Sequence, residues 1–487
     1  MRVQHIVRIG TAIAFSGFTA LTLASPVSTV GHAQGLPAPS GNVSVFATGL
    51  SNPRGLKFGP DGNLYVAEGG PGGANSTVGQ CAQVPDVGPY TGSPTGGRIS
   101  KITPSGTRTT VSDTFPSSQT SPSLGSLVSG VADVAFNGTT LYALVAGGGC
   151  SHGVPSEPNQ VAKVNANGTW TTVANLSAFQ MAHPVLLPNP GDFEPDGTWY
   201  SMIQVGGMLY AVEPNHGELD QIDPATGQVT RIADISATQG HIVPTALAYH
   251  DGNFYVGNLN TFPVIPGSSK IFQVTPDGAV SVVATGLTTV VGLTFDAQGQ
   301  MYALEMSNIK DGPAPGTGDV VRVSSSGGLQ TVASNLTFPT GMTFGPDGQL
   351  YVSELGFGFP PGAGEVVRIS VPPAPTAVHC MPGNKVTNGS TALPGATCGA
   401  VSTAVASLFS GTTAWVTMCG VVTNYAPTDT TAGVGGTITV NGVALSLPLG
   451  VAPSFVSVGA SVTVSFLTPG GQIVSVAPGS CMSPGSP

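Results

Sequence analysis

The sequence predicts an all-β protein: a six-bladed β-propeller closed by an N-terminal strand, plus a small C-terminal β-barrel or sandwich. Three observations predict it. A block ending in an apolar-Tyr-apolar run recurs six times. Each block is followed by further alternating apolar and polar segments. The sixth repeat lacks its last strand, and the N-terminal part of the chain carries one that matches. Composition agrees, with 69 Gly and 42 Pro among 487 residues and only 8% charged, which suits short strands and many turns rather than helices.

The first element is an export signal over residues 1–33. Arg2 and Arg8 give a positive start, and Ile9 to Ala24 is apolar and uncharged. Gly31-His32-Ala33 then offers a small-residue cleavage site. The alternative is a membrane anchor, but this run of about 16 residues falls short of the ~20 a spanning helix needs. No later segment is long and apolar enough to span a bilayer, so no integral membrane segment is expected after cleavage. Without the two arginines, twelve basic and twenty-four acidic residues remain, a charge of about −12. Nucleic acid is therefore not an expected partner.

Residues 42–371 hold the repeats. The clearest copies are GLKFGPDGNLYVAE (55–68), GLTFDAQGQMYALE (292–305) and GMTFGPDGQLYVSE (341–354). ALAYHDGNFYVGN (246–258) follows the same plan, and VADVAFNGTTLYALV (131–145) and WYSMIQVGGMLYAVE (199–213) follow it more loosely. A second strand pair follows each of the first five, as in SKIFQVTPDGAVSVV (269–283). Asp-Gly, Asn-Gly and Ser-Gly pairs supply the positive φ of tight hairpins. Each repeat is thus a four-stranded meander of blade size. The sixth stops after GEVVRIS (364–370), and VSVFATGL (43–50) matches the fourth-strand pattern SVVATGL (281–287). A ring latched this way leaves no open edge. A linear solenoid is the alternative, but it would need no displaced strand.

Inserts 69–96, 146–158, 259–268 and 306–317 follow second strands, and 177–198 precedes the first strand of blade 3. All fall on one rim, where long loops on a rigid scaffold carry function. Cys81 and Cys150 lie in two of these inserts on adjacent blades and are expected to pair. Six Cys without C-x-x-C spacing favour disulfides over zinc.

On VFATGLSNPRGLKFGPDGNLYVAEGGPGG (45–73), HIVPTALAYHDGNFYVGNLNTFP (241–263) and FPTGMTFGPDGQLYVSE (338–354), the chain resembles the ScyD/ScyE family of exported proteins over residues 43–371. Blade 3 departs from the family pattern, with VEPNHGEL (212–219) where members carry an Asp-Ala-Gly-Gly-Asn-like stretch. The resemblance implies a TolB-like six-bladed propeller and no particular reaction. It also raises an accessory role in export or assembly of a secondary metabolite.

One constellation follows from the repeat. Three residues after each repeat Tyr stand Glu68, Val145, Glu213, Asn258, Glu305 and Glu354. A ring of oxygen donors Glu68, Glu213, Asn258, Glu305 and Glu354 would suit Ca²⁺ or Mg²⁺. The alternative is that each accepts backbone N–H bonds from its own loop. Further candidates on the ligand face are Asn52, Arg54, Asp133, His183, His216 and His241, with His152 on the same rim. Arg54 is a rare cation there, expected to pair with Glu68 or to receive a carboxylate ligand. No nucleophile elbow, Walker loop, Rossmann fingerprint or H-E-x-x-H occurs, so whether the chain is an enzyme stays open, with binding favoured over catalysis.

A linker (372–379) leads to a disulfide-bearing β domain (380–483). Candidate strands are 414–425, 436–440, 443–447, 461–466 and 472–476, a set that fits a small barrel, sandwich or OB-like fold. Cys380–Cys398 and Cys419–Cys481 are the expected bridges. The reading overall is a secreted, periplasmic or cell-envelope binding or scaffold protein that presents a loop-rich face to a small molecule, glycan or protein. The alternative is a lactonase-like metal-dependent hydrolase using the Glu/Asn ring.

Overall fold

The repeats fold into six sheets of antiparallel strands. The computed structural model describes residues 36–372, except 86, 121–126 and 325–326. Beyond these it describes 376–381, 385–388, 391–392, 414–429, 434–440, 443–447, 457–468 and 472–478. The segment read as an export signal therefore lies outside the described residues. So do Cys398 and Cys481, and with them both C-terminal bridges. No helix of the described residues is long and apolar enough to cross a membrane.

Blade 1 comprises Pro53–Phe58, Leu64–Glu68, Thr91–Ile102 and Arg108–Gln119. Blade 2 comprises Val131–Asn137, Thr140–Val145, Gln160–Val164 and Trp170–Asn175. Blade 3 comprises Ser201–Val205, Met208–Glu213, Glu218–Ile222 and Val229–Asp234. Blade 4 comprises Pro244–His250, Asn253–Asn258, Ser269–Val274 and Val280–Leu287. Blade 5 comprises Val290–Phe295, Met301–Glu305, Gly318–Val323 and Leu329–Leu336. Blade 6 has Gly341–Phe344, Leu350–Glu354 and Gly364–Ile369, and its fourth strand is Val43–Leu50. That latch runs antiparallel to the third strand, with Val43 opposite Ile369, Val45 opposite Val367 and Leu50 opposite Gly364.

The core lies between blades. Tyr65, Ile99 and Phe115 of blade 1 pack on Val131, Val134 and Val145 of blade 2. The repeat Tyr explains itself here. Its ring meets the Phe at or one residue before the end of the first strand of the next blade, as in Tyr65–Phe136, Tyr255–Phe295, Tyr302–Phe344 and Tyr351–Phe58, at 4.9 to 5.1 Å. Edge-to-face pairs of this kind add to area burial. In three blades its hydroxyl donates to the Asp of the preceding turn, Tyr65 to Asp61, Tyr302 to Asp296 and Tyr351 to Asp347.

A second device spaces the outer strands. The Gly of each third-to-fourth-strand hairpin lies against a carbonyl in the preceding blade. A Cβ at Gly106, Gly168, Gly227 or Gly278 would come within 2.1–2.6 Å of the carbonyl oxygen of Phe46, Val111, Val173 or Ile232. Blade 6 has no such hairpin. Its place against Val332, the matching residue of blade 5, is taken by the Asn42 side chain. That amide donates to the Val332 carbonyl (2.9 Å) and to the Ser370 carbonyl (3.0 Å). Ser370 N–H in turn donates to the Asn42 carbonyl (3.0 Å).

Two features differ from the sequence expectation. In blade 1 the third and fourth strands extend outward as a long hairpin, Thr91 pairing with Gln119. The Ser-, Thr- and Gly-rich stretch 91–96 lacks apolar alternation, so backbone pairing alone makes it a strand. Segment 177–198 carries the helix Leu176–Ala182, capped by the Asn175 side chain, and a 3₁₀ turn at Pro190–Asp192.

In the C-terminal part, Ala414–Asp429, Val434–Val440, Val443–Leu447, Ser461–Thr468 and Gln472–Pro478 close a five-membered ring. The first strand pairs with both the second and the fourth, and the third runs parallel to the fifth. This is a closed five-stranded barrel of OB-like type. An additional strand, Thr376–Met381, pairs parallel with the first and begins within the segment read as a linker.

Asn42→Ala is expected to lower propeller stability by about 1–2 kcal/mol, because two carbonyls lose a donor at the seam. Asn137→Ala, which removes an exposed amide bonded to the Gly207 carbonyl, should lose less. Urea unfolding of both variants checks this, and equal losses would mean that Asn42 has no special part in closure.

Candidate functional site

Register places the inserts. Pro53 pairs with Glu68, Val131 with Val145, Pro244 with Asn258 and Val290 with Glu305. The start of each first strand and the end of each second therefore lie at one rim, and the inserts rise from it.

The five ring candidates sit at these strand ends, but the structure does not turn them on a common centre. Each is bonded within its own blade, to the segment that leads into the first strand. Glu68 accepts from Ser51 N–H (2.6 Å) and from Arg98 and Ser100. Glu213 accepts from Thr198 N–H (2.8 Å) and His216 N–H (2.5 Å). Asn258 donates to the Ile242 carbonyl (2.9 Å) and accepts from Lys270 N–H (2.7 Å). Glu305 accepts from Thr288 N–H and Glu354 from Thr337 N–H. Among the described residues no three His, Cys, Asp or Glu side chains gather as a metal-binding group. Ca²⁺ or Mg²⁺ needs several oxygens on one centre, so the ring as drawn from the sequence does not fit either ion. The cation partner of Glu68 is Arg98, directly opposite it on the third strand, and not Arg54.

Burial pushes the carboxyls of Glu213, Glu305 and Glu354 up to about 8. The backbone donors hold them down only in part. These groups keep their protons to a higher pH folded than unfolded, where the ordinary value is 4.5. Their contribution to stability is complete below about pH 4.5 and is lost as the pH rises through about 8.

The other candidates fall into three places. Asn52 and Asp133 stitch the inner strands. Asn52 donates to the Gly70 carbonyl (2.9 Å). Asp133 accepts from Val134 N–H and from Met202 N–H of blade 3, both at 2.8 Å, and lies 3.5 Å from Lys57 of blade 1. Its close fit requires Gly55, where a Cβ would lie 2.0 Å from its carboxylate oxygen. His183 is exposed and stacks on Phe179 at the end of the short helix.

His216 and His241 converge with His152 on one segment, 192–194. His241 Nε2 lies 2.7 Å from Asp192, His152 Nε2 lies 3.1 Å from Glu194, and His216 Nε2 lies 3.0 Å from the Glu194 carbonyl. Burial lowers the His216 pKa. Tyr90 from the blade 1 insert packs on the His152 ring at 4.7 Å and is wholly buried against Glu194. The sequence offers no signal for Glu194 or Tyr90, because neither occupies a repeat position.

Three inserts are thereby locked into one body. Cys81 and Cys150 form the expected disulfide. Asn75 donates to the Gly153 carbonyl (2.6 Å), and Ser151 donates through its N–H (2.7 Å) and hydroxyl (2.5 Å) to Asp196. The axis is bridged as well. Tyr200 of blade 3 donates to the Thr340 carbonyl of blade 6 (3.0 Å), and the Thr340 hydroxyl donates to the Pro53 carbonyl of blade 1 (2.7 Å). Arg54 donates to the Val128 carbonyl between blades 1 and 2.

Two outcomes are expected. Glu305→Gln should flatten the fall in melting temperature between pH 5 and 8, since the amide oxygen keeps the Thr288 bond without a charge. A slope equal to that of the wild type would rule out Glu305 as a contributor. Cys81→Ser with Cys150→Ser should cost up to about 4 kcal/mol by chain entropy for a loop of 69 residues. It should also speed hydrogen exchange in 69–96, 146–158 and 177–198 together, whereas exchange faster in one insert alone would contradict the interlock.

No protein-family model matches the chain, and no curated protein matches it by sequence. Among solved structures it is similar to a gluconolactonase from Xanthomonas campestris, at 11% identity and TM-score 0.42, over 68% of this chain and 89% of that one. It is also similar to a glucose dehydrogenase-type oxidoreductase from Thermus thermophilus, at 16% identity and TM-score 0.43, over 67% and 99%. A third is the calcium-binding protein regucalcin from Agrobacterium tumefaciens, at 14% identity and TM-score 0.40, over 67% and 95%.

Proposed function

We propose that this chain is an exported binding protein whose insert-bearing rim takes a small molecule with an apolar body. One observation carries the reading. Eleven large apolar side chains are strongly exposed among the described residues, and seven of them stand on the inserts: Val78, Met181, Leu186, Leu187, Phe262, Ile265 and Ile309. Isolated exposed apolar residues are ordinary, but their concentration on one face marks a contact surface. They come from blades 1, 3, 4 and 5, so they stand around a ring. A small ligand at the mouth of a barrel or propeller is commonly held by such loops.

The locking of three inserts favours binding over induced rearrangement, because preorganised loops lose little freedom when they are occupied. The disulfide suits an oxidising compartment, which agrees with the positive, apolar N-terminus read as a signal. From the resemblance to ScyD/ScyE proteins this reading takes export and the propeller, and no chemistry.

Nile red, a neutral apolar dye, tests the rim. Saturable fluorescence enhancement is expected with the wild type. The double variants Leu186→Asp/Leu187→Asp and Phe262→Asp/Ile265→Asp should weaken it about tenfold, as loss of two apolar contacts predicts. Val282→Asp/Val283→Asp, on the exposed outer strand of blade 4, should leave it unchanged. Equal weakening by that control, or no saturable binding, would refute the reading.

A further inference from the structure

Most cations in the propeller interior face a carboxylate. Arg98 pairs with Glu68, Arg231 with Glu218 and Lys57 with Asp133. Arg54 does not. It is only 8% exposed. Among the described residues it takes part in no ion pair, and its hydrogen bond goes to a main-chain carbonyl, that of Val128. A guanidinium so far out of water and without a counter-charge is a costly arrangement for a fold to keep.

Acids lie nearby, Asp133 in range of Tyr200 and Glu194 in range of Tyr90, but neither forms an ion pair with Arg54. Arg54 begins the innermost strand of blade 1, at the insert-bearing end of the axis. Its guanidinium lies beside the Tyr200 hydroxyl, which comes from blade 3 and reaches across the axis to blade 6. Tyr90, from the blade 1 insert, lies in range of the same charge. Arg54 and the Tyr200 hydroxyl therefore lie together at the insert-bearing end of the axis, with Tyr90 within range of the same charge. A planar fork of N–H donors is the arrangement that receives a carboxylate in two parallel bonds.

We propose that Arg54 is an anion receptor at the mouth of the axis, which takes the carboxylate of a small organic acid, with Tyr90 and Tyr200 beside it. The proposal rests on the rim being a binding face and adds the polar end of the ligand. It also gives Arg54 a reason to remain unpaired: an internal carboxylate would occupy the position meant for the ligand.

Benzoate is the probe, titrated at constant ionic strength against sodium chloride and sodium phosphate and read by isothermal calorimetry and thermal melts. The wild type should bind benzoate saturably and melt higher with it. Arg54→Gln keeps a donor for the Val128 carbonyl, and should bind benzoate about tenfold or more weakly, as loss of a charged hydrogen bond predicts. Without benzoate the same variant should be at least as stable as the wild type, because it no longer buries an uncompensated charge. Arg54→Lys, which keeps the charge but not the fork, should fall between the two and serves if Arg54→Gln does not fold. Equal benzoate binding by the variant and the wild type, a response to phosphate or chloride alone, or no response to any anion would overturn the proposal. Nile red binding that survives such a failure would leave the rim reading in place, whereas loss of both signals would remove the two together.

Discussion

Closure of the ring by Val43–Leu50 is the constraint on which the remaining geometry depends. Five blades are built from consecutive chain, and each buries its faces against its neighbours. The sixth is complete only when a strand some 320 residues earlier in the chain lies along Gly364–Ile369. Without it, the outer edge of blade 6 would be open and the six first strands would have no reason to face one axis. Asn42 makes the seam equivalent to the other five joints. It offers an amide to the Val332 carbonyl, where other blades press a glycine hairpin on the matching carbonyl. The chain break is thus repaired by a side chain standing in for missing backbone.

The rim follows from that ring. Because the carboxylates and amide at second-strand ends bond the segment entering the first strand, five of the six blades carry such a clamp at the end where inserts emerge. In four blades the clamp is a buried acid accepting backbone N–H groups and in blade 4 an amide, which satisfies backbone groups that irregular segments would otherwise leave unpaired. Blade 1 adds Arg98 to its clamp. Blade 2 has Val145 at this position and relies instead on a backbone bond, from Ala146 N–H to the Gly130 carbonyl. The clamps leave the inserts free to vary in length while their bases stay fixed.

Much of this architecture is legible in the sequence. The six repeats announce themselves because the same tasks recur at fixed spacing: a turn residue, a Tyr within the second strand, and in four of the six an acid for the clamp. The latch is legible because VSVFATGL differs from the outer strand of blade 4, VSVVATGL, at one residue. The pairing of Cys81 with Cys150 follows from two inserts on adjacent blades. What spacing does not convey is where a side chain points. Five oxygen-bearing residues in register resemble a metal ring, yet each turns toward its own backbone. Arg54 and Arg98 are both near Glu68 in the chain, and only the cross-strand register decides between them. The convergence of three histidines on 192–194 depends on loop paths that no periodicity encodes.

The latch has a further consequence for the identity of the chain's ends. Val43 and Ile369 face one another across an antiparallel pair, so the first and last residues of the propeller are neighbours on one sheet. A short turn would join them, and the ring would then have no natural starting point. Any hairpin between third and fourth strands elsewhere would serve equally as the opening. In that sense the strand order is one of the circular orders that a rotationally repetitive object allows, cut at a seam held by Asn42.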